Sequence, residues 1–297
     1  MEKKENMVQM LLVIIGIVVI LFFGYLYQNT GFLKAGRINE RDLQEWTYEN
    51  GIIKGVEGFT LEGNSGKCWV MAHGYTSTPP VFRELAERIN KEFDDTVIVP
   101  RLKGHAMLPT ELLKYSVVDW FEEIHGLMHD KGCDYLVGSS MMAGLALKYA
   151  EEHEVKGLVL LGAYIKPPSF LESLVVVKLV SRFTSYSWKD RVGTIDDPEG
   201  LKVHIANWGF PFKAVVEYYE DFVPGIVENA GKIDSRVLFL HGKYDTVADI
   251  RATKKVFDKI GGEKLFVETD GNHLILRDYD KEKAIDEILK FRLNQKV

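Results

Sequence analysis

One stretch constrains the fold more than any other: Tyr135-Leu136-Val137-Gly138-Ser139-Ser140-Met141-Met142-Ala143-Gly144-Leu145-Ala146-Leu147. A short apolar run of buried-strand length meets a turn of small residues and passes directly into a helical pattern. Such a corner sets one side chain at the end of a sheet, with the first helical amides beside it, where developing negative charge is stabilised. Ser140 has Gly138 two residues before it and Met142 two residues after it, so the G-x-S-x-G spacing is met on one side only. Ser139 has Val137 and Met141 at those offsets, which makes Ser140 the better candidate nucleophile. Taken alone, the stretch also fits a plain Gly/Ser turn between a strand and a helix.

The surrounding pattern repeats the unit. Strands are expected at 67–72, 96–99, 157–161, 236–240 and 264–267, and helices at about 81–93, 118–129, 250–260 and 281–292, with the corner helix running to about 152. Strictly alternating elements of this kind argue for an α/β fold, a mostly parallel sheet with helices on both faces. The alternation lapses for about seventy residues, 164–234, which hold Pro167-Pro168, an apolar helical stretch from Phe170 to Phe183, a turn-rich acidic patch and an amphipathic stretch from Phe212 to Val227. So long an insertion is too structured for a plain loop and reads as a mainly helical cap over the sheet edge.

At the amino end, Met7 to Tyr27 is apolar apart from Gln9, about the length needed to cross a bilayer as a helix. An uncleaved single-pass anchor is expected rather than a signal peptide, because the apolar core is long and no small-x-small site follows it. Lys3 and Lys4 on one side and Lys34, Arg37 and Arg41 on the other leave its orientation open. The expected organisation is therefore a flank (1–6), an anchor (7–27), a stalk (28–50), core (51–163), cap (164–234) and core again (235–297). A formal net charge of −6 and the lack of a basic cluster with interleaved aromatics give no reason to expect nucleic acid. Cys68 and Cys133, each beside an apolar run, read as buried thiols rather than a disulfide.

A serine hydroxyl needs a base within hydrogen-bond reach, oriented in turn by a carboxylate. In doubly wound hydrolases these follow in the chain order nucleophile, acid, base, on loops after strands. Here Ser140, Asp245 and His273 each fall just past an expected strand, and His73-Gly74-Tyr75 follows the strand placed to supply a second oxyanion amide.

From about residue 59 onward the chain resembles the α/β-hydrolases, in particular the carboxylesterase and monoacylglycerol lipase group of serine hydrolases. The residues carrying the resemblance are His73-Gly74-Tyr75-Thr76, Lys103-Gly104-His105, Leu108-Pro109-Thr110-Glu111-Leu112, Asp119-Trp120, Gly138-Ser139-Ser140-Met141, Pro211-Phe212-Lys213, Asp245 and Gly271-Asn272-His273. The resemblance implies Ser140 as nucleophile, His273 as general base and then acid, and Asp245 as its orienting partner. It further implies an oxyanion hole from the Tyr75 and Met141 amides, and ester hydrolysis through an acyl-serine with no cofactor or metal. The expected partners are a small-molecule ester or lipid and the membrane, with the oligomeric state open. Two residues depart from the group: Met142 and Ala106 stand where glycine is usual.

Rivals are ranked below these. His241 precedes Asp245 and would reverse the order of acid and base; it reads as structural. His105 reads as a loop-holding residue, and His153 and His204 as surface or core. His125 and His129 share a helical face without the H-E-x-x-H arrangement, so a solvated face outranks a metal pair. Gly66-Lys67 lacks the rest of a phosphate loop. Asp249, Asp270 and Asp278 sit less naturally after a strand than Asp245 does. Two other functions stay open: a catalytically silent hydrolase fold acting as a binding or scaffolding module at the membrane, motivated by Met142, and an acyltransferase using the same serine.

Overall fold

The structure is a computed structural model, and it describes residues 2–29, 38–169, 174–189 and 194–294. Seven strands form its central sheet: β1 (Phe59–Leu61), β2 (Cys68–Ala72), β3 (Thr96–Val99), β4 (Tyr135–Ser139), β5 (Gly157–Leu161), β6 (Val237–Gly242) and β7 (Lys264–Thr269). The helices used below are α1 (Glu2–Asn29), α2 (Glu40–Glu45), α3 (Arg83–Phe93), α4 (Val117–Lys131), α5 (Met141–Ala150), α6 (Leu174–Ser181), α7 (Phe212–Glu217), α8 (Val223–Asn229), α9 (Ile250–Lys259) and α10 (Lys281–Leu293).

The sheet order is β7-β6-β5-β4-β2-β3-β1, parallel throughout except for β1, which runs antiparallel to β3. Its two faces are read directly from a period of two. Trp69, Met71, Val137, Val159, Leu161, Leu238 and Leu240 pack with Leu85 and Ile89 of α3 and Ile285 and Ile288 of α10. Val70, Ala72, Leu136, Leu158, Leu160 and Phe239 point the other way, onto Trp120 and Ile124 of α4, the small residues of α5 and Val256 of α9. With both faces covered, the central strands are apolar without interruption. Helix α4 starts where it does because Ser116 and Asp119 form a capping box, each side chain taking the other's backbone amide.

Between β5 and β6 the chain leaves the sheet and forms α6, a two-stranded ribbon (Tyr186–Trp188 with Gly209–Pro211), α7, a π turn (Tyr218–Phe222) and α8. The insertion thus holds β structure that a helical pattern did not anticipate; residues 170–173 of the expected apolar helix and 190–193 of the acidic patch lie outside the described residues. It sits on the loops beyond the carboxyl ends of β2 and β7. Thr78 Oγ1 donates to the Ile205 carbonyl at 2.6 Å, the Asn207 amide to Thr76 O at 2.9 Å, and the Leu274 amide to Thr194 O at 3.1 Å.

Two expectations need correction. Cys68 and Cys133 form a disulfide. Cys68 opens β2 and Cys133 lies two residues before β4, and the register of these neighbouring strands pairs Trp69 with Tyr135 and so brings the two sulfurs together. The stalk reading also fails for residues 38–50, while 30–37, including Lys34, lie outside the described residues, as does Arg37. Helix α2 is anchored by the buried Asp42 carboxylate, which accepts from the amides of Trp208 and Gly209 and from Asn207 Nδ2, and Tyr48–Glu49 pairs with Ile52–Ile53. A polar composition disguised a segment that is bonded to the insertion.

Helix α1 contains one stretch, Asn6–Tyr27, of mean hydropathy 2.8, long and apolar enough to cross a membrane. Its carboxyl end meets the insertion: Leu26 is fully buried, and the Phe22 and Phe23 rings lie 5.7 and 5.8 Å from that of Phe183.

Candidate active site

The corner between β4 and α5 is built by close packing. Gly138 lies against the first turn of α5, where a Cβ would come within 2.5 Å of Met142 O and 2.7 Å of Ala143 Cα. Ser140 takes up φ 57° and ψ −121°, a backbone region that side chains rarely occupy, and its amide donates to Leu161 O at 2.8 Å. Strain of this kind persists only where the surroundings enforce it. Met142 does not open the corner; its side chain is fully buried in the cluster beneath α5. Ala106, the other departure from glycine, adopts φ 58°, the left-handed region that glycine favours, and its carbonyl accepts from the Ile53 amide at 2.7 Å.

Three side chains distant in sequence converge here. Ser140 Oγ lies 2.8 Å from His273 Nε2, and His273 Nδ1 lies 2.9 Å from Asp245 Oδ2. The carboxylate fixes the tautomer, since Nδ1 must donate to it, leaving the Nε2 lone pair to receive the serine proton. Asp245 Oδ1 accepts from the amides of Val247 and Ala248, both at 2.8 Å. Burial pushes the Asp245 carboxyl up, but His273 and His241 outweigh it and hold the group well below the usual carboxylate range.

The loop after β2 closes the site on the other side. Gly74 is so near Ser140 that a Cβ there would stand 3.2 Å from the serine Cβ. Tyr75 follows, its hydroxyl donating to Pro211 O at 2.9 Å, so the insertion holds this loop. Met141 opens α5, and its amide is among the four that a helix leaves without an intrahelical acceptor. His73 and His105 brace the loop from below. His73 Nε2 accepts from the Leu102 amide at 3.4 Å and Nδ1 donates to Gly74 O at 3.2 Å; His105 Nδ1 donates to Lys103 O at 3.2 Å. Burial lowers His73 to about 4 and His105 well below its ordinary value, so both are uncharged at neutral pH.

The other candidates fall elsewhere. Asp249 caps α9, and Asp270 is exposed and paired with Lys243 at 2.6 Å. Asp278 is buried and frames the histidine loop: Oδ2 accepts from the amides of Asn272 and Asp196, Oδ1 from those of Asp197 and Tyr279. Asn272 Oδ1 in turn accepts from the His273 and Thr246 amides, both at 2.9 Å. His125 faces His153, Nε2 to Nε2 at 3.2 Å, and its ring stacks on His129 at 6.0 Å. Among the described residues no three His, Cys, Asp or Glu side chains are grouped to hold a metal ion. His204 is buried in the insertion. Sequence reasoning missed the contact of His241 with Asp245, 3.2 Å, although their spacing of four across a strand end is a usable signal.

Residues 65–280 match the family described as serine aminopeptidase, S33. The chain belongs to this family. As an S33 hydrolase it has the α/β-hydrolase fold. It is 33% identical to a thermostable monoacylglycerol lipase of Bacillus sp. (strain H-257) over 124 residues, 40% of this chain and 48% of that enzyme, so the match spans about half of the relative's length. It is 19% identical to a carboxylesterase of Bacillus subtilis (strain 168) over 240 residues, 78% of this chain and 94% of the esterase. Among solved structures, a chain from work on the metagenome-derived lipolytic enzymes LipS and LipT superposes with a TM-score of 0.74 at 21% identity, covering 82% of this S33 hydrolase and all of that chain. A monoacylglycerol lipase from Paleococcus ferrophilus superposes with a TM-score of 0.69 at 19% identity, covering 79% and 98%.

Proposed function

We propose that this S33 hydrolase is a membrane-anchored serine esterase acting on apolar carboxylic esters of the monoacylglycerol kind. One observation carries the reading: the unbroken hydrogen-bonded chain Ser140–His273–Asp245, at 2.8 and 2.9 Å, with Ser140 on a strained corner. In this reading Ser140 Oγ attacks the ester carbonyl carbon while its proton passes to His273 Nε2. The Tyr75 and Met141 amides stabilise the resulting oxyanion. The carbon–alkoxy bond then breaks, the imidazolium proton goes to the leaving alcohol, and Ser140 is left acylated. Water repeats the sequence, losing its proton to His273 as it attacks, and releases the carboxylic acid and the free serine. Asp245 stays ionised throughout and holds the imidazole in register.

The lipid-like substrate is supported by the named lipase relative and by the apolar helix at the amino end, which would keep the site beside the bilayer where acylglycerols partition. Met142, which suggested a silent scaffold, lies buried while the chain of hydrogen bonds is intact, and this favours turnover. The test is labelling by a fluorophosphonate probe and hydrolysis of a short p-nitrophenyl ester and of a monoacylglycerol. Wild type is expected to be labelled and active, and Ser140→Ala to lose both. Equal hydrolysis by purified Ser140→Ala would end the proposal. Product analysis with added alcohol separates hydrolysis from acyl transfer. An intact mass that includes residues 7–27 in the membrane fraction is expected for an anchor; a chain shortened past Tyr27 would show a cleaved signal.

A further inference from the structure

We propose that His241 is a positioning residue for Asp245, an inference that rests on the serine esterase reading above. His241 is fully buried at the end of β6. Its Nε2 lies 3.2 Å from Asp245 Oδ2 and 3.2 Å from Ala248 O, and both of these atoms only accept, so Nε2 carries a hydrogen shared between them. Nδ1 is buried with no hydrogen-bond partner, so it carries no proton. The Phe266 ring lies beside it, nearly parallel at 18° with 6.4 Å between centroids.

Oδ2 of Asp245 is therefore shared between two histidines, His273 at 2.9 Å and His241 at 3.2 Å. The second donor does two things. It removes the rotational freedom left to the carboxylate by the amides of Val247 and Ala248, and it draws electron density from the oxygen that holds the His273 N–H. That weakens the pull of Asp245 on the imidazolium that forms when His273 takes the serine proton. The other charges facing His241 are Glu268 on β7, opposite it in register, and Lys254 of α9, which pairs with Glu268 at 2.6 Å.

The test uses the full chain in detergent. His241→Phe is expected to lower kcat on a p-nitrophenyl ester on the order of tenfold, the size of one hydrogen bond to a charged group, with KM within twofold. The acid limb of kcat/KM is expected to move to higher pH by about half a unit, as for the loss of one hydrogen bond at a coupled carboxylate. His241→Gln, which keeps a side-chain N–H, should restore the limb and most of the rate. An acid limb in His241→Phe coincident with wild type, or a Gln variant no better than Phe, would overturn the proposal. Nitrogen-15 spectra of the wild type give a readout independent of variant folding: His241 must appear with hydrogen on Nε2 alone, and hydrogen on Nδ1 rejects it. Wild-type turnover abolished in Ser140→Ala but indifferent to His241 would sink this inference and leave the esterase reading standing, whereas undiminished turnover in Ser140→Ala would remove both.

Discussion

Replacing Gly138 by alanine tests whether close packing sets the corner. The added methyl would meet backbone, not a side chain that can swing aside: Met142 O at 2.5 Å, Ala143 Cα at 2.7 Å and Ala143 N at 2.8 Å. To bring the nearest of these to an ordinary contact of 3.4 Å, the first turn of α5 must retreat by about 0.9 Å. Overpacking of this size costs about 1–3 kcal/mol of stability. The retreat carries Ser140 and the Met141 amide with it, and a displacement approaching 1 Å lowers the rate by roughly 10- to 100-fold. The control is Gly126→Ala within α4, where a Cβ meets nothing nearer than Asp130 Oδ2 at 3.8 Å. There alanine should add about 0.5–1 kcal/mol through helix propensity alone and leave turnover unchanged. Urea midpoints and kcat/KM on a p-nitrophenyl ester, measured on all three proteins, decide the matter. A Gly138→Ala enzyme within twofold of wild type and equally stable would refute the packing argument.

The remaining predictions concern stability and pH. His73 has its folded value lowered to about 4 from 6.5, so the unfolded chain takes up a proton between those pH values while the folded one does not. Stability is thus full above about pH 6.5 and falls by about 3 kcal/mol as the pH drops toward 4, with His105 acting in the same direction; a urea midpoint equal at pH 7.5 and 5 would contradict this. The disulfide closes a separation of 65 residues. The double change Cys68→Ser with Cys133→Ser should therefore cost about 4 kcal/mol by chain entropy, and unchanged melting in the double variant would argue against the bridge. Asp278→Asn should lower kcat more than tenfold by loosening the histidine loop, while a probe-labelling rate equal to wild type would show that the frame is dispensable.

How much was legible depended on the kind of signal. Periodicity located the strands that are buried on both faces, because continuous apolar runs bounded by glycine and charged residues leave little choice, and Ser140, Asp245 and His273 followed from their position at strand ends. The edge strand β1 escaped notice, since three half-exposed residues carry almost no pattern. Asp42 was invisible for a different reason: its partners, Trp208 and Gly209, lie more than 160 residues away, and no local rule reports a buried carboxylate joined to distant amides. The disulfide needed the register of β2 on β4, which spacing alone does not supply. His241 reads in the sequence as a structural residue beside the acid loop, which gives its neighbourhood but not its hydrogen bond to Asp245.

Asp278 spans two parts of the molecule, taking one pair of amides from the histidine loop and its neighbour and another pair, Asp196 and Asp197, from the insertion. The insertion is consequently more than a roof over the reacting atoms. Whoever trims or exchanges it will also slacken the mooring of the loop that carries His273, unless those two amides are rebuilt in the replacement.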